Sequence, residues 1–397
     1  MKKLLCILFA AIPMLGLAQS QVSVTVDSVG QLSKKIDDKT KFQISELTVS
    51  GPLNGNDIKL IQQIVNRSKA KEKIGECLVT SIDLSNAIIT EGKAGMKLLA
   101  NELPNGMFSG AKGLVKAVLP NGITAISKNC FSGCSKLVTV PIPSNVTEIE
   151  NGAFKNCGSL EAITLPNGLK SIGSEAFEDC ESLKAIEIPS SVTKMGSQTF
   201  NDCKALASAN IQANVNELPS SIFSGCTNLS NVSLPSGLKK IGSSAFAKCK
   251  ALKEITLPES VEELGNGAFE NCENLTSIQM ASVKKVDNNA FEGCQSLQDL
   301  EVATSNRIGA EAFKDCMSLQ TFESGFVGRI GNAAFSGCSS LRQFIIEGNL
   351  QAIGNETFKG CTSLQTAELP STIKTIGSKA FFECKSLEEI ELPTSLV

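Results

Sequence analysis

The sequence contains no histidine, no tryptophan and no tyrosine. Without histidine it lacks the side chain most used as a general base near neutral pH and the commonest neutral metal ligand. Without tryptophan and tyrosine it lacks the rings on which sugars usually stack and the aromatics that most often anchor protein interfaces. A surplus of one charge is missing too: 37 Lys and Arg stand against 40 Asp and Glu, a net charge of −3. No basic stripe is available to neutralise phosphates or anionic headgroups, which argues against nucleic acid and membrane surfaces as partners.

Long apolar runs are confined to the start of the chain. Met1-Lys2-Lys3 precedes an apolar stretch from Leu4 to Leu17 that closes on the small residues Gly16 and Ala18, the form of a cleaved secretory leader. A spanning helix needs roughly 20 apolar residues, which neither this run nor any later one reaches. The expectation is a leader at residues 1–20 and an exported mature chain, at the cell surface, extracellular or periplasmic, with no membrane insertion after cleavage. Cys6 lies near the start of the run, whereas a lipidated cysteine would follow it.

The positive content of the sequence is a repeat. Phenylalanine recurs at Phe108, Phe131, Phe154, Phe177, Phe200, Phe223, Phe246, Phe269, Phe291, Phe313, Phe335, Phe358 and Phe381, in steps of 23 residues except for three consecutive steps of 22 between Phe269 and Phe335. Cysteine follows phenylalanine by three in every unit but the first, where Ala111 takes its place, and leucine follows cysteine by three. One full unit reads Cys157-x-x-Leu160-x-x-Ile163-x-Leu165-Pro166-x-x-Leu169-x-x-Ile172-Gly173-x-x-Ala176-Phe177.

Such spacings translate into geometry. The Leu-x-x-Ile-x-Leu stretch alternates like a short strand with one face inward, and the proline after it stops the ladder. Gly173 suits a turn of positive φ, and Ala-Phe-x-x-Cys reads as a tight turn or short 3₁₀ segment. No unit of this length buries its own Leu, Ile, Phe and Cys, but stacked units share a continuous core under one parallel sheet. Thirteen units at about 4.8 Å give a solenoid of roughly 60 Å with a phenylalanine stack inside.

The unit resembles the bacterial surface leucine-rich repeat of the BspA-like proteins, marked by Leu-x-x-Ile-x-Leu-Pro and Ile-Gly-x-x-Ala-Phe-x-x-Cys, over about residues 100 to 397. The fold class expected is therefore a leucine-rich-repeat solenoid, β-rich, with its parallel sheet on the concave side, and the resemblance implies adhesion to host or matrix proteins or to other bacteria. Departures are local. Pro141 sits inside one strand, and the shortened units around Met280, Val302 and Ser324 lack the Leu-Pro, a change in spacing read as drift rather than as a recognition segment. Residues 21–100 do not repeat. Their strand Ile44 to Val49, helix Ile58 to Val65 with Asn56 as N-cap, and strand Leu78 to Leu84 fit an N-terminal α/β cap on a solenoid spanning 101–397 in about 13 repeats. At the other end the sequence stops at Val397 within a repeat, which leaves either an exposed strand edge or a missing cap.

Cysteines at one inward position of stacked units act as small apolar filler, so the ladder is expected to hold buried free thiols rather than disulfides. Cys77 and Cys130 stand outside the ladder, and their pairing stays open. No cofactor and no metal is called for, since zinc wants four clustered ligands.

Function is expected on the outward strand positions. From Ala162 and Thr164 through Ala185, Glu187, Ser208, Asn210, Asn231 and Ser233 these are small or neutral apart from Glu187, while later units collect Asp299, Glu301, Glu323, Glu368, Glu389 and Glu391. The candidate contact residues are Glu254, Thr256, Ser277, Gln279, Asp299, Glu301, Thr321 and Glu323, offered to a basic or amide-rich protein partner. An enzyme is not expected, because exposed regular strands form no closed pocket for a nucleophile and its base. The alternative is an envelope scaffold that self-associates through its C-terminal edge. The sequons at Asn145 and Asn231 are incidental in a chain of bacterial character, and Leu392-Pro393-Thr394 lacks the glycine of a sortase signal.

Overall fold

A computed structural model describes residues 20–39, 41–66, 79–302, 307–324, 327–346 and 348–397. The leader expected at residues 1–20 lies outside them except for Ser20, and Cys77 lies outside them as well. Among the described residues no helix is long and apolar enough to cross a membrane.

The chain opens with two parallel strands, Ser20–Thr25 and Ile44–Leu53, and a helix, Gly55–Val65, whose Ile58, Ile61, Ile64 and Val65 are buried. The N-cap of this helix is Asn54, not Asn56 as the sequence reading had it. Asn54 Oδ1 accepts the N–H groups of Asn56 and Asp57, and the Asp57 carboxylate at N3 accepts the Asn54 N–H in return. That reciprocal capping box outranks a lone asparagine two residues later. The buried Asp57 also accepts the N–H groups of Gly30 and Leu32, tying the short helix Leu32–Lys35 to the longer one. The sheet continues through Ser81–Asp83 to Lys116–Val118, so it runs on into the first coil of the solenoid.

From there the chain coils, and the expected leucine-rich-repeat solenoid is what the structure shows. The thirteen phenylalanines form one stack, with successive ring centroids 5.0 to 5.8 Å apart and planes within 2 to 20° of each other. Equivalent points on successive coils are separated by the local rise. Successive rings thus lie at about the spacing of paired strands, roughly 4.8 Å, or slightly beyond it.

Each coil carries two residues in the left-handed region, two before and two after its phenylalanine, for example Asn129 and Gly133 around Phe131 and Glu175 and Asp179 around Phe177. These interrupt what would otherwise be 3₁₀ helix, so of the two forms the sequence allowed, tight turn or short 3₁₀ segment, the structure takes the turn, twice in each coil. A left-handed residue other than glycine costs roughly 1–2 kcal/mol. The return is a hydrogen bond per site, because the twist aims N–H groups along the solenoid: Asn129 donates to Asn151 O at 3.0 Å, Phe131 to Ala153 O at 2.7 Å and Gly133 to Lys155 O at 2.8 Å.

Two further features correct the sequence reading. The single sheet is in fact two ladders, because a second set of two-residue strands stacks beside the first, including Ala125–Ile126, Glu148–Ile149, Ser171–Ile172 and Lys194–Met195. The glycine after the isoleucine does not need positive φ. A Cβ on Gly196 would lie 2.2 Å from Ser174 N, and one on Gly173 would lie 2.5 Å from Asn151 N, so close stacking of coils selects glycine there.

The twelve ladder cysteines have a second role besides filling space. Each Sγ donates to the phenylalanine carbonyl of the preceding coil at 3.1 to 3.2 Å, from Cys134 onto Phe108 to Cys384 onto Phe358. Ala111 replaces cysteine in the first unit, where the stack has no earlier phenylalanine carbonyl to receive a thiol.

Candidate functional site

The longer strands present their outward residues as two columns. Inward, Ile186, Ile188, Ile211, Ile255, Ile278 and Leu300 are buried, whereas outward Ala185, Glu187, Glu254, Thr256, Ser277, Gln279, Thr321 and Glu323 are exposed. One six-stranded ladder, from Glu254–Ile255 to Thr366–Glu368, holds most of the residues singled out in the sequence. Its register aligns Glu254 with Ser277 and Asp299 in one column, and Gln279 with Glu301, Glu323, Ile345 and Glu368 in the other. Thr256 follows the strand Glu254–Ile255 directly. Asp299 and Glu301 are placed by their backbones in the strand Asp299–Val302, and their side chains lie outside those described.

The shortened units do not disturb this ladder. Phe322 and Phe344 take inward strand positions there and meet the main stack edge-on, at 4.8 Å and 64° to Phe335 and at 4.5 Å and 70° to Phe358. The irregularity falls elsewhere. Residues 161–166 make no ladder although they match the repeat, and next to them Pro141 and Pro143 remove two donors from the equivalent stretch of the preceding coil. Over this break lie two open hollows of about 570 and 510 Å³, both bordered by Ile163, Thr164 and Asn167. The first is lined also by Thr139, Pro141 and Ser144, the second by Glu187, Asn210 and Asn231. Sequence reasoning missed these hollows; the two prolines in Val140-Pro141-Ile142-Pro143 were the available signal.

The two ladders treat charge in opposite ways. On the second, Glu217, Lys240, Glu263 and Lys285 alternate in register before Lys285 meets Arg307, and Lys240 lies 3.2 Å from Glu217 and 3.8 Å from Glu263. Lys285 sits 2.7 Å from Glu263 and 2.9 Å from Asp287, and these bases hold the Glu263 carboxyl below its ordinary range. On the strand face, among the described residues, no lysine or arginine pairs with Glu254, Glu323 or Glu368, and Glu301 and Glu323 stand side by side in register. Like charges opposed across a ladder destabilise it.

Among the described residues the cysteines offer no reactive centre. Thirteen are free thiols, twelve of them buried, Cys130 included. Burial pushes the Cys272 thiol up to about 12 and that of the half-buried Cys384 to about 11, and raises Cys130 further. A thiol must lose its proton to act as a nucleophile or ligand.

With this geometry in place, the likenesses to known proteins are specific. A model of the family described as BspA type Leucine rich repeat region matches residues 101–230, 216–326 and 308–397. A leucine-rich repeat protein from Bacteroides ovatus of known structure is 28% identical, aligned over 80% of this chain and 88% of that one, with a TM-score of 0.61. A Leucine Rich Repeat protein from T. pallidum is 31% identical over 45% of this chain and 80% of its own, with a TM-score of 0.38. A leucine rich cell surface protein from Faecalibacterium prausnitzii is 22% identical over 80% and 89%, with a TM-score of 0.44. No curated protein matches the chain.

Proposed function

This chain belongs to the BspA type leucine-rich-repeat family, and from that premise we propose that it is an exported, non-enzymatic adhesion protein that grips a protein partner on its strand face. The partner class is a host, matrix or bacterial surface protein with a basic or amide-rich contact segment. One observation carries the reading. Glu217 and Glu263 on the second ladder are paired with lysines, whereas among the described residues Glu254, Glu323 and Glu368 on the strand face have no base, and Glu323 stands in register with Glu301. A basic partner would relieve repulsion that the free protein bears.

The contact residues are Glu254, Thr256, Ser277, Gln279, Asp299, Glu301, Thr321 and Glu323. In the absence of aromatic anchors the contact draws on many weak interactions along the columns, so affinity rests on multivalency and falls with salt. The test is binding of the mature chain to purified matrix proteins and to envelope extract from other bacteria, then remeasurement with Asp299→Lys, Glu301→Lys and Glu323→Lys combined. The triple variant should lose at least roughly tenfold in affinity, about 1.4 kcal/mol. Unchanged affinity for the same partner would remove the acidic face from the account. Retention of the protein only by itself would favour the scaffold instead.

A further inference from the structure

Six Asn-Gly pairs occur in the chain, at 54–55, 105–106, 121–122, 151–152, 167–168 and 266–267. Such a pair carries its own chemistry. The glycine amide nitrogen can close a five-membered ring on the asparagine Cγ, and glycine hinders this least because it has no Cβ and a wide range of φ and ψ. Whether the ring closes depends on whether the fold leaves the glycine N–H and the asparagine side chain at liberty.

In four pairs it does not. Gly106, Gly152 and Gly267 each give their N–H to the next coil, to Lys128 O at 2.8 Å, Ser174 O at 2.9 Å and Asn288 O at 2.9 Å. Asn151 and Asn266 are held as well, since their Oδ1 atoms accept the N–H groups of Ser174 and Asn288. Asn54 is engaged as the N-cap.

The other two pairs follow the proline at the end of the Leu-x-x-Ile-x-Leu stretch of their units. Pro120-Asn121-Gly122-Ile123 is closed by Ile123 N–H onto Pro120 O at 3.3 Å, and Pro166-Asn167-Gly168-Leu169 by Leu169 N–H onto Pro166 O at 3.0 Å. Asparagine and glycine are exposed in both turns, and among the described residues neither the glycine N–H nor the asparagine side chain has a partner. Neither glycine has positive φ. The turn does not require this dipeptide either, for equivalent turns use Ser144-Asn145, Ser190-Ser191 and Glu259-Ser260.

We propose that Asn121-Gly122 and Asn167-Gly168 are sites of spontaneous covalent modification in the folded protein. The glycine nitrogen gives up its proton and bonds to the asparagine Cγ, and the side-chain nitrogen leaves as ammonia. Water then opens the cyclic imide at either carbonyl, giving an aspartyl or an isoaspartyl residue. Water is the only co-reactant and no electrons change hands. Each event replaces a neutral amide by a carboxylate, and at Asn167 that charge arrives in the wall shared by both hollows. The modification does not depend on the binding role proposed above.

The test is incubation of the folded chain in mildly alkaline buffer, with timed digestion and chromatographic mass spectrometry that separates asparagine, aspartyl and isoaspartyl peptides. Asn121 and Asn167 should convert at least roughly tenfold faster than Asn105, Asn151 and Asn266, whose glycine amides are freed only by an opening costing about 1.4 kcal/mol or more. In urea the difference should vanish. Asn167→Ser, which restores the residue type of neighbouring turns, should abolish product at that site alone. Equal rates at Asn167 and Asn151 in the folded chain would overturn the proposal, as would conversion at Asn151 or Asn266 ahead of Asn121.

Discussion

Replacing Phe246 by alanine tests the ring stack at its centre. Phe246 is fully buried, with its neighbours Phe223 and Phe269 at 5.7 and 5.3 Å. Truncation of a buried phenylalanine costs roughly 3–5 kcal/mol, combining lost transfer energy with the cavity left behind. The stack is closed on both sides here, so a value of about 4 kcal/mol is expected. Coils contact only their neighbours, so the damage should stay local. Hydrogen exchange followed by mass spectrometry reads this directly, because the amides of Phe223, Phe246 and Phe269 each donate to the next coil at 2.8 to 2.9 Å. Their exchange should accelerate by about a thousandfold, while the amide of Phe131 changes little. Two other phenylalanines supply controls within the same protein. Phe381→Ala, at a half-buried position, should cost clearly less, and Phe382→Ala, at 50% exposure, less than about 0.5 kcal/mol. Similar losses from all three, or a loss below about 1 kcal/mol at Phe246, would refute the view that the stack organises the fold.

Gly196→Ala should destabilise by roughly 1–3 kcal/mol through overpacking against Ser174, whereas Gly237→Ala, with nothing within 4 Å, should be neutral or stabilising in the same urea titration. Burial keeps the Cys272 and Cys384 thiols protonated more firmly in the folded chain than their ordinary value of 9.0 allows in the unfolded one. Stability should therefore be flat with respect to these groups below about pH 9 and fall as pH rises toward 11 and 12, the folded values of Cys384 and Cys272. Alkylation in the native state should reach Cys384 before any buried ladder cysteine, and labelling of Cys226 ahead of it would contradict the burial order. Lys240→Met should cost no more than about 1 kcal/mol, since its two ion pairs lie at the surface, and a larger loss would mean that the charge alternation is structural.

Much of this architecture could be read from the chain because the coil is built by identical neighbours. Phe at a fixed step has to stack on Phe, and Leu-x-x-Ile-x-Leu has to turn the same side chains inward each time. What escaped reading has local causes. Two-residue strands such as Ser171–Ile172 are too short to leave an alternating pattern, so the second ladder was invisible. Gly173 was assigned a backbone role because a conformational need and a packing need select the same residue. The lost pairing at 161–166 arises in the neighbouring coil, at Pro141 and Pro143, so the affected residues carry no mark of it. The strand-face columns were legible as positions, and Glu254, Ser277, Gln279, Thr321 and Glu323 fall on one ladder as expected. That Glu254, Glu323 and Glu368 have no counter-ion among the described residues was not legible, because pairing is decided across coils.

The phenylalanine edge has an electrical consequence. Around each ring, peptide N–H groups point toward the coil of higher residue number, as Asn129, Phe131 and Gly133 do, and the pattern recurs from coil to coil. Dipoles in the strands alternate and largely cancel, but those of this edge add head to tail as they do in a helix. This edge is therefore polarised lengthwise, positive toward higher residue numbers, and it is opposed on the other sides of the coil by N–H groups such as those of Lys170 and Gly173, which point back to Thr147 O and Ile149 O. Whatever meets the coils after Phe381 meets forward-pointing amides and is favoured if it brings a carboxylate or a carbonyl. At the Phe108 end, the carbonyls that face backward favour a donor.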